Sequence, residues 1–262
     1  MKLSISNIAW NNESDACVYS LMNKYGFIGL EIAPTKIFGA CPYERIADAE
    51  RFRTKIREEN GFEIPSIQSI WYGKQENIFS SDAEREDLFQ YTKDAVDFAA
   101  AIGARNLVFG CPRNRNVPPL ANVGVALEFF HNLGEYAVSR GTVIGMEANP
   151  PIYNTNYINE TAQAIDLIKS VNSKGFKLNF DFGTSIYNKE TFDALEMNPE
   201  CINHVHISEP GLAPVKVRES HKVLAGLLRD IDYSGFVSIE MGFVDDVSVI
   251  EDCMKYVSEV FL

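Results

Sequence analysis

The chain has 262 residues, of which 46% are hydrophobic, and a formal net charge of −12. The hydrophobic share supports one sizeable core, and barrels of alternating strands and helices commonly occupy about 250 residues as one unit. The acidic residues are spread along the chain, so a nucleic-acid backbone would meet an unfavourable field, and no stretch approaches the roughly 18 apolar residues of a membrane span.

In chain order, the first apolar run is LSISNIAW (3–10), read as a strand, followed by the helical spacing of DACVYSLMNKYG (15–26). FIGLEIA (27–33) and IPSIQSIW (64–71) are the next strands. The polar connections TKIFGACPYERIAD and YGKQENIFSSD after them are long enough to cover one end of a barrel. EREDLFQYTKDAVDFAAAIGA (84–104) is helical, with Ser81 and Glu84 resembling a capping box at its start. Strand NLVFG (106–110), helix VGVALEFFHNLGEYAVSRG (123–141), strand TVIGMEAN (142–149) and helix ETAQAIDLIKSVNSKG (160–175) follow. The last strands are FKLNFDF (176–182), HVHIS (204–208) and FVSIEM (236–241), with helices in SHKVLAGLLRDIDYSG (220–235) and DVSVIEDCMKYVSEVF (246–261). Gly103, Gly141, Gly175 and Gly235 each follow a helix where a left-handed residue is expected.

Eight strand-then-helix units predict an α/β fold, a single-domain (β/α)8 TIM barrel spanning residues 1–262. A doubly wound open sheet is the lesser alternative, and no GxGxxG follows the first strand to favour it. The five cysteines (Cys17, Cys41, Cys111, Cys201, Cys253) form no CxxC pair and read as reduced, mostly buried thiols. The opening MKLSISNIAWNNESD has one Lys and no uninterrupted apolar core, so a soluble, cytoplasmic protein is expected, with homo-oligomerisation left open.

Chemistry in such barrels sits at the C-terminal ends of the strands. Four successive ends carry groups that an apolar barrel would not choose: Glu147, Asp181, His206 (with His204 two residues earlier) and Glu240. Three carboxylates in one small volume repel unless a cation holds them. Oxygen-rich ligation with one imidazole suits Mn²⁺, Mg²⁺ or Co²⁺, with Zn²⁺ also compatible, and requires no organic cofactor. His204 and His206 share a strand face. The second lies nearer the strand end and is the expected ligand.

The motifs GMEANP around Glu147, NFDFG around Asp181, HVHISE around His206 and YSGFVSIEMG around Glu240 are separated by 34, 25 and 34 residues. In order and spacing they resemble the xylose isomerase-like barrels, the sugar phosphate isomerase/epimerase superfamily, over nearly the whole chain. The resemblance implies a metal held by Glu147, Asp181, His206 and Glu240, with Glu147 and Glu240 also moving the proton. The implied activity is isomerisation or epimerisation of a small sugar, sugar phosphate or related polyol ketone through an enediolate. A metal-dependent dehydratase of the inosose type and a non-catalytic ligand-binding barrel are the alternatives. The endonuclease branch uses several additional histidines, whereas this chain has four in all.

The chain also departs from that pattern. Thr184 stands where many relatives carry a histidine, no second glutamate follows Glu147 closely, and the first arginine after His206 is Arg218. Expected substrate-binding residues are therefore Trp10, Glu31, Gln68, Trp71, Asn149, Glu209, Arg218 and His221, with Asn7, Arg113 and Lys216 as further polar groups near the mouth. His221, just past the expected cap Ser220, is a candidate substitute for the missing imidazole.

Overall fold

All eight apolar runs become strands in the computed structural model, which describes residues 1–262. They are β1 (Lys2–Ser6), β2 (Phe27–Glu31), β3 (Ser66–Ile67), β4 (Asn106–Phe109), β5 (Val143–Met146), β6 (Phe176–Asp181), β7 (Ile202–Ile207) and β8 (Phe236–Ile239). Every pairing is parallel, in the order β2-β1-β8-β7-β6-β5-β4-β3. Isolated parallel bridges from Gly29 to Glu63 and from Ile32 to Ile67 bring β2 beside β3 and nearly close the ring. The architecture is that of a TIM barrel.

Surrounding helices are α1 (Asp15–Lys24), α2 (Pro34–Phe38), α3 (Ile46–Asn60), α4 (Asp82–Ile102), α5 (Val125–Ser139), α6 (Thr161–Val171), α7 (Phe182–Asn188), α8 (Asp193–Glu196), α9 (Glu219–Asp230) and α10 (Val247–Phe261). No helix is long and apolar enough to cross a membrane. Short α7 and α8 fill the connection from β6 to β7, where FGTSIYN lacks strong helix formers; its start is fixed by the Asp181 side chain instead. At α4 only half of the capping box forms. Ser81 accepts from the Glu84 amide at 3.2 Å, while the Glu84 carboxylate turns to Asn77 N at 3.0 Å and Ser80 Oγ at 2.7 Å.

Every strand but β7 is shorter than its apolar run, and β1, β3 and β5 lose the most. β1 stops at Ser6 because Asn7–Ala9 coils into a 3₁₀ turn. β3 keeps two residues, between Pro65, which cannot donate, and Ser69, which adopts a positive φ of 55°.

The hydrophobic core lies between strands and helices, not along the barrel axis. Leu107 and Phe109, Ile144 and Met146, Phe180, Val205 and Ile207, and Val237 and Ile239 are buried in that layer. The alternate positions are small or polar: Ser4, Ser66, Asn106, Gly145, Asn179, His204 and Ser238. Asn106 donates to Ser66 Oγ at 3.0 Å and to Asn179 Oδ1 at 3.2 Å across the lumen.

Of the four helix-following glycines, Gly103 and Gly141 have positive φ, 85° and 73°, as expected. Gly175 and Gly235 do not, because Asn172 and Asp232 take the left-handed turn before them. Gly175 is required by contact, since a Cβ there would lie 2.0 Å from the Gly134 carbonyl oxygen. The cysteines are free, but only Cys201 and Cys253 are buried; Cys17 and Cys41 are exposed on a helix surface and a loop, against the expectation of mostly buried thiols.

Gly175→Ala should lower stability by about 1–3 kcal/mol through overpacking against α5. Gly226→Ala, in α9 with no atom within 4 Å of the added Cβ, should raise it by about 0.5–1 kcal/mol. Urea denaturation checks both, as opposite shifts of the midpoint.

Candidate active site at the C-terminal strand ends

The parallel ladder itself places the acidic groups. Glu147 follows β5 directly, and its amide donates to Phe109 O of β4 at 3.1 Å; Glu240 follows β8, and its amide donates to Ile207 O of β7 at 3.1 Å. Asp181 ends β6 in register with His206 on β7. Ligand atoms of Glu147, Asp181, His206 and Glu240 all lie within 4.8 Å of one another, and all four residues are buried.

His206 is the centre of the group. Its Nδ1 stands 3.1 Å from Glu147 Oε1 and 3.2 Å from Glu240 Oε2, and its Nε2 lies 3.1 Å from Glu31 Oε2. Burial lowers the pKa of an imidazole, but here Glu31, Glu240 and Glu147 outweigh it and hold His206 well above its ordinary value. His204 Nε2 is 3.0 Å from the same Glu31 oxygen but outside hydrogen-bond geometry.

The carboxylates differ in support. Asp181 Oδ2 accepts from the Thr184 amide and hydroxyl, both at 2.7 Å, and Oδ1 accepts from Ser208 Oγ. Glu147 Oε1 accepts from Asn179 Nδ2 and Oε2 from Asn149 Nδ2, each at 2.9 Å. Glu240 has no donor except the imidazole. Burial, with Glu147 nearby, pushes Asp181 up to about 6, and burial also raises Glu240. Three crowded carboxylates facing one imidazole nitrogen, two of them raised, form a donor set that fits a divalent cation.

A cavity of about 190 Å³ opens above the cluster, lined by Glu147, Asp181 and Glu240 together with Gln68, Ser69, Val108, Gly110, Cys111, Pro112, Asn149, Tyr153 and Leu212. Among the expected substrate residues, Gln68 and Asn149 line this cavity and the others do not. Trp10 is buried with its indole N–H on Asp15 at 2.7 Å. Trp71 packs edge-on against Phe109 and donates to Thr92 at 2.8 Å. Glu31 lies beneath His206. Glu209 is buried and binds Arg218 through two bonds, at 2.7 and 2.5 Å. Arg113 and Lys216 are exposed. Asn7 is buried and ties β1 to β2, accepting from the Ala33 amide at 2.9 Å.

His221 does not replace the imidazole absent at position 184. It sits in an aromatic pocket, 4.2 Å from the Phe182 ring centroid, with Nδ1 on Tyr256 Oη at 3.0 Å. Thr184 instead braces Asp181 and donates its hydroxyl to Ala148 O at 2.8 Å.

Several contributors carry little sequence signal. Asn179 was legible in principle, two residues before Asp181 on the same strand face. Tyr153 and Arg115 sit in irregular connections, where spacing says nothing of direction.

The chain matches the family described as Xylose isomerase-like TIM barrel over residues 20–253. It belongs to that family. Solved structures similar to this Xylose isomerase-like barrel include 3-keto-D-glucoside 4-epimerase from E. coli, with 19% identity, 99% coverage of both chains and a TM-score of 0.79. D-psicose 3-epimerase from Clostridium cellulolyticum H10, solved with D-tagatose, has 16% identity, covers 100% and 99% of the two chains and gives 0.79. An AP endonuclease, family 2, from Brucella melitensis has 18% identity, covers 99% of each chain and gives 0.72. At these identities the likeness is one of fold. A comparison with curated protein sequences gives no match.

The aromatic pocket makes acid stability a test of where His221 sits. Burial lowers its pKa from 6.5 to about 4, so the unfolded chain binds more protons between those values, and stability present above 6.5 is lost as pH falls toward 4. Between pH 7 and 4.5 the native protein should lose about 2–3 kcal/mol more than a His221→Phe variant, measured by denaturant unfolding at each pH.

Proposed function

We propose that the protein is a divalent-metal-dependent isomerase or epimerase of a small sugar, sugar phosphate or related polyol ketone. The carrying observation is that Glu147 and Glu240, from β5 and β8, approach the same imidazole nitrogen at 3.1 and 3.2 Å and both border the cavity. Neighbours that are epimerases of 3-keto-D-glucoside, D-psicose and L-ribulose support this reading.

In the proposal, Glu147, Asp181, His206 and Glu240 hold the metal, with Mn²⁺, Mg²⁺ or Co²⁺ favoured by the oxygen-rich set and Zn²⁺ compatible with it. When bound, the cation supplies Lewis-acid stabilisation of negative charge on the substrate oxygens. Glu147 removes the proton α to the carbonyl in one direction. Hydrogen bonds to both of its oxygens fix the plane of the carboxylate and hence the direction of attack. Glu240, which borders the cavity from β8, returns a proton from the other side. Return to the same carbon inverts it, and return to its neighbour isomerises the sugar. In the reverse direction the two glutamates exchange roles. Gln68 and Asn149 supply hydrogen-bonding groups at the wall of the cavity.

Protein loaded with Mn²⁺ and incubated in D₂O with D-fructose, D-tagatose, D-psicose and their phosphate esters should incorporate deuterium at the α-carbon, read by NMR. Glu147→Gln and Glu240→Gln should each slow exchange about 10²- to 10⁴-fold. Asp181→Ala should lose bound Mn²⁺ while keeping its circular dichroism. Absence of exchange with every ketose, under Mn²⁺, Mg²⁺ and Co²⁺ alike, contradicts the proposal.

A further inference from the structure

Arg115 ends the 3₁₀ turn Pro112–Arg115 that follows β4, and it is fully buried. A buried guanidinium is ordinarily held by a carboxylate or by several carbonyls, because its desolvation is otherwise uncompensated. This one has neither. Nη2 donates to Asn149 Oδ1 at 2.7 Å, Nη1 reaches only the Met146 sulfur at 3.8 Å, and Nε has no partner. Its polar neighbours Cys111 and Tyr157 supply no counter-charge, since burial pushes each of them up to about 12. Glu147 is the one carboxylate that acts on it appreciably, although no Arg115 nitrogen bonds to it.

The connection between them is Asn149. Its Oδ1 takes the Arg115 bond, so its amide nitrogen must face the other way, and Nδ2 donates to Glu147 Oε2 at 2.9 Å. The Asn149 backbone is pinned too, donating to Ile158 O at 3.1 Å and accepting from Asn159 Nδ2 at 2.8 Å. With that backbone fixed, Arg115 anchors one end of the amide and so fixes where its other end meets the glutamate. An apolar side chain of similar volume would fill the space without the desolvation cost, but it would leave Asn149 Oδ1 without its anchor and the amide free to swing away from the carboxylate.

We propose that Arg115 is a positioning residue that acts through Asn149 to hold the Glu147 carboxylate in its place over the cavity. The inference rests on the proposed metal and proton-transfer roles of Glu147, and it assigns the cost of a buried, nearly unpartnered cation to the site. Partners of this kind commonly change metal affinity or activity 10- to 100-fold when removed.

The test is a double-substitution cycle of Arg115→Met and Asn149→Ala, read by calorimetric titration of the full-length protein with MnCl₂ and by thermal melting without metal. Each single variant should weaken Mn²⁺ binding about 10-fold. The double variant should be no weaker than either single, and Arg115→Lys should recover part of the loss. Should Arg115→Met fail to fold, Arg115→Lys with Asn149→Ala closes the same cycle. Additive losses, or a melting temperature that falls while Mn²⁺ affinity stays unchanged, overturn the inference and leave the proposed function standing. A native protein that binds none of Mn²⁺, Mg²⁺, Co²⁺ and Zn²⁺ in the same titration overturns both.

Discussion

The site depends on one buried contact, the Glu31 carboxylate under the Nε2 edge of His206. An imidazole offers two nitrogens, and which one faces outward is set by what the other bonds. Glu31, at the end of β2, engages the inner nitrogen and leaves Nδ1 turned toward Glu147 and Glu240. Without that anchor the ring could rotate, and the carboxylates would converge on nothing fixed. Glu31 is held below its usual range even though burial alone would raise it, because His206 and His204 outweigh desolvation.

Support for the cluster comes from the lumen. Positions facing the axis are polar or small, and among them a chain of hydrogen bonds runs from strand to strand to the acidic cluster: Ser66 to Asn106, Asn106 to Asn179, Asn179 to Glu147, while the Ser4 and Ser238 hydroxyls have no partner. Hydrogen bonds linked in a chain resist reorientation better than isolated pairs do. The apolar layer outside the strands supplies the burial that drives folding, while the lumen spends some of that stability on orientation. Gly145 belongs to this arrangement, since a Cβ there would lie 2.5 Å from Asn106 Oδ1.

The fold was legible because barrel strands announce themselves as short apolar runs, and all eight did so. The four clustered groups were legible because strand ends have a fixed direction, so Glu147, Asp181, His206 and Glu240 could be placed at one mouth from their order alone. Loop residues have no such direction. Arg218, Trp10 and Trp71 stand near strand ends in sequence, yet Arg218 gives its guanidinium to Glu209, and the two indoles are buried with their N–H groups on Asp15 and Thr92. Nothing in the sequence separates buried Arg115 from exposed Arg113, because burial of a loop side chain depends on contacts distant in sequence. The positions of Gly175 and Gly235 show the same effect in backbone form, with the left-handed turn taken by Asn172 and Asp232.

The proposed cation belongs on the Nδ1 side of His206, among Glu147, Asp181 and Glu240. A second acid–imidazole group, Glu31 with His204 and His206, lies on the opposite side of the same ring, so location decides the matter. Anomalous diffraction at the manganese edge from crystals grown with MnCl₂ tests this most directly. A single peak in contact with Nδ1 of His206 and the three carboxylates is predicted; a peak on the Glu31–His204 side, or none in the barrel, would contradict the account.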